Sequence, residues 1–246
     1  MAAAAFMPTV LPRAFETEEA KRRYVRGLFA TIADRYDLIT RLLSYGMDQR
    51  WKRRVIRLSS AVPGTRALDL ACGTGDLAFA LGERGAYVTG LDVTHRMLQL
   101  ARQKKPAGGA SVGFVTGDMM ALPFPDQSFD LVTTGYGIRN VPRIEPAIAE
   151  IRRVLRPGGV VLSLDFNRPD SALLRRFYLA YLTLVGSTLG WVLHRDPDTY
   201  RYIPESIRRY PGARGVARLM EQHGFVACRV ELLLGGLMAI NSARVA

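Results

Sequence analysis

The chain has 246 residues, 48% of them apolar and 23% charged, which suits a single folded domain and excludes a disordered or fibrous chain. Its 34 basic and 22 acidic side chains leave a net charge of +12, which favours a negatively charged partner: nucleic acid, an anionic membrane surface or an acidic substrate. Two cysteines, Cys72 and Cys228, exclude a disulfide framework or a cysteine metal site and suit a reducing, cytoplasmic compartment.

Residues 1–14 show no basic segment ahead of an apolar core, so they read as a mobile tail and not a secretory signal. N-terminal helices are expected over 15–62, because Leu28, Ile32, Ile39, Leu42 and Leu43 recur at near-helical spacing. Over 63–167 strands alternate with helices, the pattern of a parallel doubly wound sheet and here the cofactor-binding core. Strands are expected at 66–70, 87–91, 112–116, 129–134 and 160–165. Helices are expected at 76–84, at 94–105 with Thr94 as N-cap, and at 142–155. The region 168–222 reads as a helical lid. Its apolar stretch 177–193 is short for a bilayer span and predicts a buried helix pair interrupted near Gly186, with membrane contact left open. Strands near 225–233 and 237–243 form a terminal hairpin within 223–246. The whole reads as one domain.

The informative decapeptide runs from Ala67 to Asp76. A short apolar strand carries Asp69, and a turn with Gly73, Thr74 and Gly75 leads into a helix. Glycine lets the backbone turn tightly and approach a ligand. A dinucleotide site would bring a pyrophosphate here, and Asp69 would repel it. S-adenosylmethionine, with a sulfonium and an ammonium group, fits better. Gly73-x-Gly75-x-x-Ala78 still satisfies the loose dinucleotide fingerprint, so that reading stays beside it.

Further polar features fall at strand carboxyl ends, where doubly wound sheets bind ligands. Asp92, followed by Val93, is disposed to accept hydrogen bonds from vicinal ribose hydroxyls, the alternative being a cap on the next helix. Asp118-Met119 suits an adenine site, with Gly135 beyond it just past the fourth strand. Asp69, the second acid Asp118 and the Leu122-Pro123-Phe124-Pro125-Asp126 turn have no use in a dehydrogenase. The set predicts a class I S-adenosylmethionine-dependent methyltransferase: α/β, Rossmann-like, a mainly parallel seven-stranded sheet with N-terminal helices and a helical lid.

The acceptor is the harder question. The stretch 135–142 lacks the Asp/Asn-Pro-Pro-aromatic cluster of base amino-methyltransferases and the cysteine of cytosine C5 enzymes. No His/Asp/Glu grouping has metal spacing, so no metal is expected. What the stretch offers is Tyr136, a fixed cation in Arg139 and the amide of Asn140, a set able to bind a phenol or stabilise a phenolate. A structural role for Arg139 is the alternative.

Three segments outside the cofactor motifs carry a resemblance: Tyr36-Asp37 through Leu43-Ser44 to Trp51, Gly137-Ile138-Arg139-Asn140, and 196–207 with Tyr200, Arg201 and Tyr202. They are similar to the ubiquinone/menaquinone biosynthesis C-methyltransferases from about residue 26 to the C-terminus. The resemblance implies methylation of a ring carbon of a polyprenylated quinol, demethylmenaquinol being the commonest bacterial case. It carries cofactor contacts to Thr74, Asp92, Asp118 and Met119, with Gly135 standing where a serine is usual. Catalysis falls to Arg139, Asn140 and Tyr136, and Tyr178, Tyr200 and Arg201 are candidates for the prenyl channel. Departures are Ile39-Thr40, Asp48, Asp165-Phe166-Asn167 and Asn241, where the family usually has Met-Asn, His, Glu-x-Ser and His. The implied setting is cytoplasmic, with peripheral contact to an anionic membrane and a homodimer both left open. No nucleic acid is expected, and an RNA methyltransferase, a ubiquinone-precursor enzyme and a non-catalytic binding protein stay as alternatives.

Overall fold

The computed structural model describes residues 11, 13–44, 46–104 and 112–246. Three helices come first: α1 (Glu18–Ile32), α2 (Tyr36–Leu43) and α3 (Asp48–Ser59). Thr17 caps α1, its hydroxyl accepting the Ala20 N–H at 3.1 Å. The core follows as β1 (Arg66–Leu70), α4 (Asp76–Gly82), β2 (Tyr87–Asp92), α5 (His95–Gln103), β3 (Val112–Thr116), β4 (Phe129–Gly135), α6 (Ile144–Val154) and β5 (Leu155–Phe166). Then come α7 (Ala172–His194), α8 (Tyr202–Arg209), α9 (Gly212–Gln222), β6 (Phe225–Leu233) and β7 (Met238–Val245).

The seven strands form one sheet in the order β3-β2-β1-β4-β5-β7-β6, with β1 to β5 parallel and β6 and β7 an antiparallel hairpin. Strand order reverses between β1 and β4, and doubly wound sheets bind ligands outside such a switch point. Both faces of β1 are covered, so Ala67, Leu68 and Leu70 are fully buried and the strand reads as an apolar run. Asp69 interrupts that run and is satisfied across the sheet. It sits opposite Thr133 of β4, whose hydroxyl donates to its carboxylate at 2.7 Å.

Three expectations need correction. The stretch 177–193 is not a broken pair but the body of one 23-residue helix, α7, which runs straight through Gly186. Glycine costs that helix about 1 kcal/mol of propensity against alanine, but its missing Cβ lets Tyr200 pack against the backbone. β5 starts five residues early, because the Pro157-Gly158-Gly159 stretch is absorbed at an irregularity in the β4 pairing and does not end the strand. Thr94 forms no side-chain cap on α5. Of the expected tail 1–14, most lies outside the described residues, while Arg13–Phe15 form a 3-10 turn with Ala14 buried.

Candidate active site

The strand ends around the switch point open into a pocket. Gly73 and Gly75 both have positive φ, +54° and +89°, which the tight turn into α4 requires. A Cβ at Gly75 would lie 2.7 Å from the Phe79 ring. Asp92, at the end of β2, links two turns: its carboxylate accepts the Thr94 N–H at 2.7 Å and the Gly73 N–H at 2.9 Å. It therefore closes a turn just ahead of α5 and fixes the glycine turn at once. Burial raises its pKa, against the stabilising pull of those donors. A carboxylate offers about four lone-pair sites, so acceptor capacity is left for ribose hydroxyls.

Val93, Asp118, Met119 and Gly135 line the same pocket. Asp118 accepts the Met120 N–H at 2.9 Å and forms an ion pair with Arg22 of α1 at 3.0 Å, so the first helix reaches over the cofactor side. Thr74 lies at the turn but faces α2 and α5: its hydroxyl donates to Asp37 at 2.6 Å and accepts from Lys104 at 2.9 Å. Asp69 is set back beneath the turn, lining a smaller recess with Lys52, Asp76 and Tyr136. Burial pushes its pKa up to about 7, with Thr133 and the Ala78 N–H opposing. Lys52 bridges Asp48 and Asp76, both at 2.8 Å. Burial alone would lower the Lys52 pKa, but these two carboxylates raise it, so the ammonium is retained.

β4 ends in a strained corner. Tyr136 is a non-glycine residue at φ +61°, and the next residue must be glycine: a Cβ at Gly137 would lie 2.5 Å from the Thr134 hydroxyl and 2.7 Å from Ala71. The corner turns Tyr136 and Asn140 to the boundary between the cofactor pocket and a second, apolar cavity; both residues line both spaces. That second cavity is walled by α1 and α2 (Leu28, Ile32, Ile39), by Trp51 and by Tyr200 and Tyr202. Asn140 donates to the Tyr136 carbonyl at 2.8 Å, yet among the described residues its Oδ1 has no hydrogen-bond partner, nor has the Tyr136 hydroxyl. Two unpartnered polar atoms at the junction are the mark of a site that expects a polar ligand. Burial holds the Tyr136 phenol well above its ordinary pKa, so it is a proton donor at neutral pH.

Arg139 is not a free cation. Its Nε meets Asp165 at 3.2 Å, its N–H donates to the same carboxylate at 3.1 Å, Nη1 donates to Ser206, and the guanidinium stacks over Phe166 at 5.1 Å. It lines the apolar cavity from within this clamp. Of the three expected channel residues, Tyr200 lines the cavity and bonds His194 at 2.9 Å. Tyr178 donates to the Leu237 carbonyl at 3.3 Å within a packing cluster of α7 and α8, and Arg201 pairs with Asp198 at 2.7 Å near the surface. Neither lines the cavity.

Tyr36 was missed as a site residue, although it stands in the motif that carries the resemblance; it lines both spaces, and burial pushes its phenol up to about 12. Tyr202, which also lines the apolar cavity, stands in a segment that carries the resemblance too, whereas nothing in the sequence singles out Arg22. Among the described residues no group of three metal-ligating side chains is found.

The residues fit S-adenosylmethionine: the Gly73 turn, the Asp92 carboxylate with acceptor capacity left for hydroxyls, and Asp118-Met119 all line one pocket. Fold and site together define a class I S-adenosylmethionine-dependent methyltransferase. Solved structures agree on the fold. A SAM-dependent methyltransferase from Thermotoga maritima superposes with a TM-score of 0.64 at 18% identity, covering 90% of this chain and 100% of that one. One from Mesorhizobium loti gives 0.57 at 20%, covering 78% and 96%. The ubiE/COQ5 methyltransferase family matches residues 17–244, and the chain belongs to it. Relatives include a demethylmenaquinone methyltransferase of Thermus thermophilus, 44% identical over 87% of this chain and 98% of that protein. Another is a ubiquinone/menaquinone biosynthesis C-methyltransferase of Paracoccus denitrificans, 40% identical over 92% of each.

Proposed function

We propose that the chain methylates a ring carbon of a polyprenylated quinol, converting demethylmenaquinol to menaquinol. The observation that carries this reading is the apolar cavity that meets the cofactor pocket at Tyr136 and Asn140, with an unpartnered donor and acceptor at the junction. A flat ring with hydroxyls and a long hydrocarbon tail matches such a space: polar at its head and apolar along Leu28, Ile32 and Ile39. The names of the relatives point the same way, and the double name of several keeps a ubiquinone precursor as a second acceptor.

When bound, S-adenosylmethionine supplies an electrophilic methyl group on a positively charged sulfur. The chain's own part is to hold the acceptor ring and raise electron density on its carbon. Asn140 Oδ1 accepts a hydrogen bond from a ring hydroxyl and orients it. As that hydroxyl loses its proton, the Tyr136 phenol, held protonated by burial, donates to the developing phenolate. Arg139 keeps a positive charge behind the ring, fixed by Asp165 and Ser206 so that it need not reorganise. Neither Tyr136 nor Asn140 can take up the proton at neutral pH, so a water carries it away.

Methyl-labelled S-adenosylmethionine, incubated with demethylmenaquinol, a demethylated benzoquinol precursor or total RNA, tests the reading. Label is expected in the naphthoquinol. Label found only in RNA would overturn it.

A further inference from the structure

α7 carries two apolar faces, and only one is covered. Tyr178, Leu179, Leu182, Gly186 and Gly190 face inward. A Cβ at Gly190 would overlap the Asp196 carbonyl, so the inner face of the helix is packed closely on the segment that follows it. On the outer side Leu173, Phe177, Leu184 and Trp191 are 66%, 66%, 70% and 66% exposed. At helical periodicity these four fall within a sector of about 40° and form a straight stripe about 27 Å long. A stripe of that size is unusual on a water-facing surface.

Charge frames it. α7 contains no Asp or Glu, while exposed Arg176 flanks the stripe near the start of the helix and exposed Arg195 stands at its C-cap. The covered flank of the helix is continuous with the apolar cavity: Val185, Leu189 and Leu193 pack in the cluster that holds Leu28, Ile32 and Tyr200. Beside it α2 exposes Leu38 and Leu42, while its Ile39 and Leu43 line the cavity.

We propose that α7 lies in the plane of an anionic lipid bilayer, its Leu173–Trp191 stripe sunk among the acyl chains and its flanking arginines on the headgroup phosphates. An apolar stripe with cationic flanks is the composition of an interfacial helix, and tryptophan favours that boundary. The choice of lipid over a second copy of this chain rests on the quinol reading above and on charge. Two copies meeting through this stripe would bring arginines together with no carboxylate on the helix to offset them.

The test uses the full chain with vesicles of phosphatidylcholine alone or mixed equally with phosphatidylglycerol. Wild type is expected to partition at least about tenfold more strongly onto the anionic vesicles, and less at high salt. The triple variant Phe177→Ser, Leu184→Ser, Trp191→Ser is expected to lose about tenfold or more of that binding while keeping its thermal melting and its affinity for S-adenosylhomocysteine. Trp191 emission should shift to the blue on binding; the other tryptophan, Trp51, is buried and silent. Wild type remaining unbound with anionic vesicles, or the triple variant binding equally well, overturns the proposal. So does a lipid-free dimer that the triple variant splits. Methyl transfer to a water-soluble short-chain quinol separates the two readings. Vesicle binding without any quinol methylation breaks the substrate assignment and leaves this surface standing; methylation without vesicle binding does the reverse.

Discussion

On the strand-end side of Tyr136, the polar groups belong to turns and to acids just at or past the end of a strand. On the helical side the wall comes from side chains at opposite ends of the sequence, Leu28 and Ile39 facing Tyr200 and Tyr202. The first region is local and repeats a pattern any doubly wound sheet imposes at its switch point. The second is assembled by packing, and its one charged anchor, Arg139, depends on Asp165 from β5 and Ser206 from α8. Both sites take wall residues from α1 and α2, but only the acceptor side also needs Tyr200 and Tyr202 beyond α7 and Ser206 of α8.

Removing the anchor tests that dependence most severely. Arg139→Ala leaves Asp165 buried without its partner, and the chain should lose about 3–5 kcal/mol of stability in denaturant melts. Arg139→Ala with Asp165→Asn should recover most of that loss, since the orphaned charge is gone, while kcat on a soluble quinol stays down at least about tenfold. Recovery of both stability and rate in the double variant would make Arg139 a purely structural clamp.

Asp92→Ala strikes the other side. Two N–H donors lose their acceptor, and calorimetry should show affinity for S-adenosylhomocysteine reduced about 100-fold, or about 2.7 kcal/mol. The KM for quinol should hardly move. Tyr136→Phe should produce the complementary result, with kcat lowered about 10- to 100-fold and cofactor affinity unchanged. If both variants lowered the same parameter, the division of labour at Tyr136 would collapse.

The same contrast explains what could be read from the sequence. The five parallel strands, the terminal hairpin and the acids at 69, 92 and 118 were visible because alternation and strand-end chemistry are short-range signals. Helix α7 was misjudged because its two faces are both apolar, one for the core and one exposed, so Gly186 looked like a break when it is a point of close approach to Tyr200. Arg139 is visible as a cation, but its ion-pair partner lies 26 residues away on β5 and stands out in the sequence only as a departure from a family pattern. Arg22 had no signal at all: its meaning comes from α1 folding across the end of β3 to reach Asp118.

The smallest effect concerns Asp69, where the local region carries a cost of its own. Its folded pKa, about 7, stands above the ordinary carboxylate value of about 4, so between these limits the folded chain keeps a proton that the unfolded chain releases. Stability from this group is therefore greatest at and below pH 4, falls as pH rises toward 7, and is level beyond. Asp69→Asn, close in shape to the protonated acid, should match wild type within about 1 kcal/mol near pH 4 and exceed it by about 1–3 kcal/mol at pH 8. The gain should come with weaker binding of S-adenosylmethionine, because the amide carries no charge to meet a cationic ligand beside the turn. A variant that follows the wild-type pH curve would assign the titration to another buried acid, Asp92 or Asp165, and would leave Asp69 as a cross-strand partner of Thr133 alone.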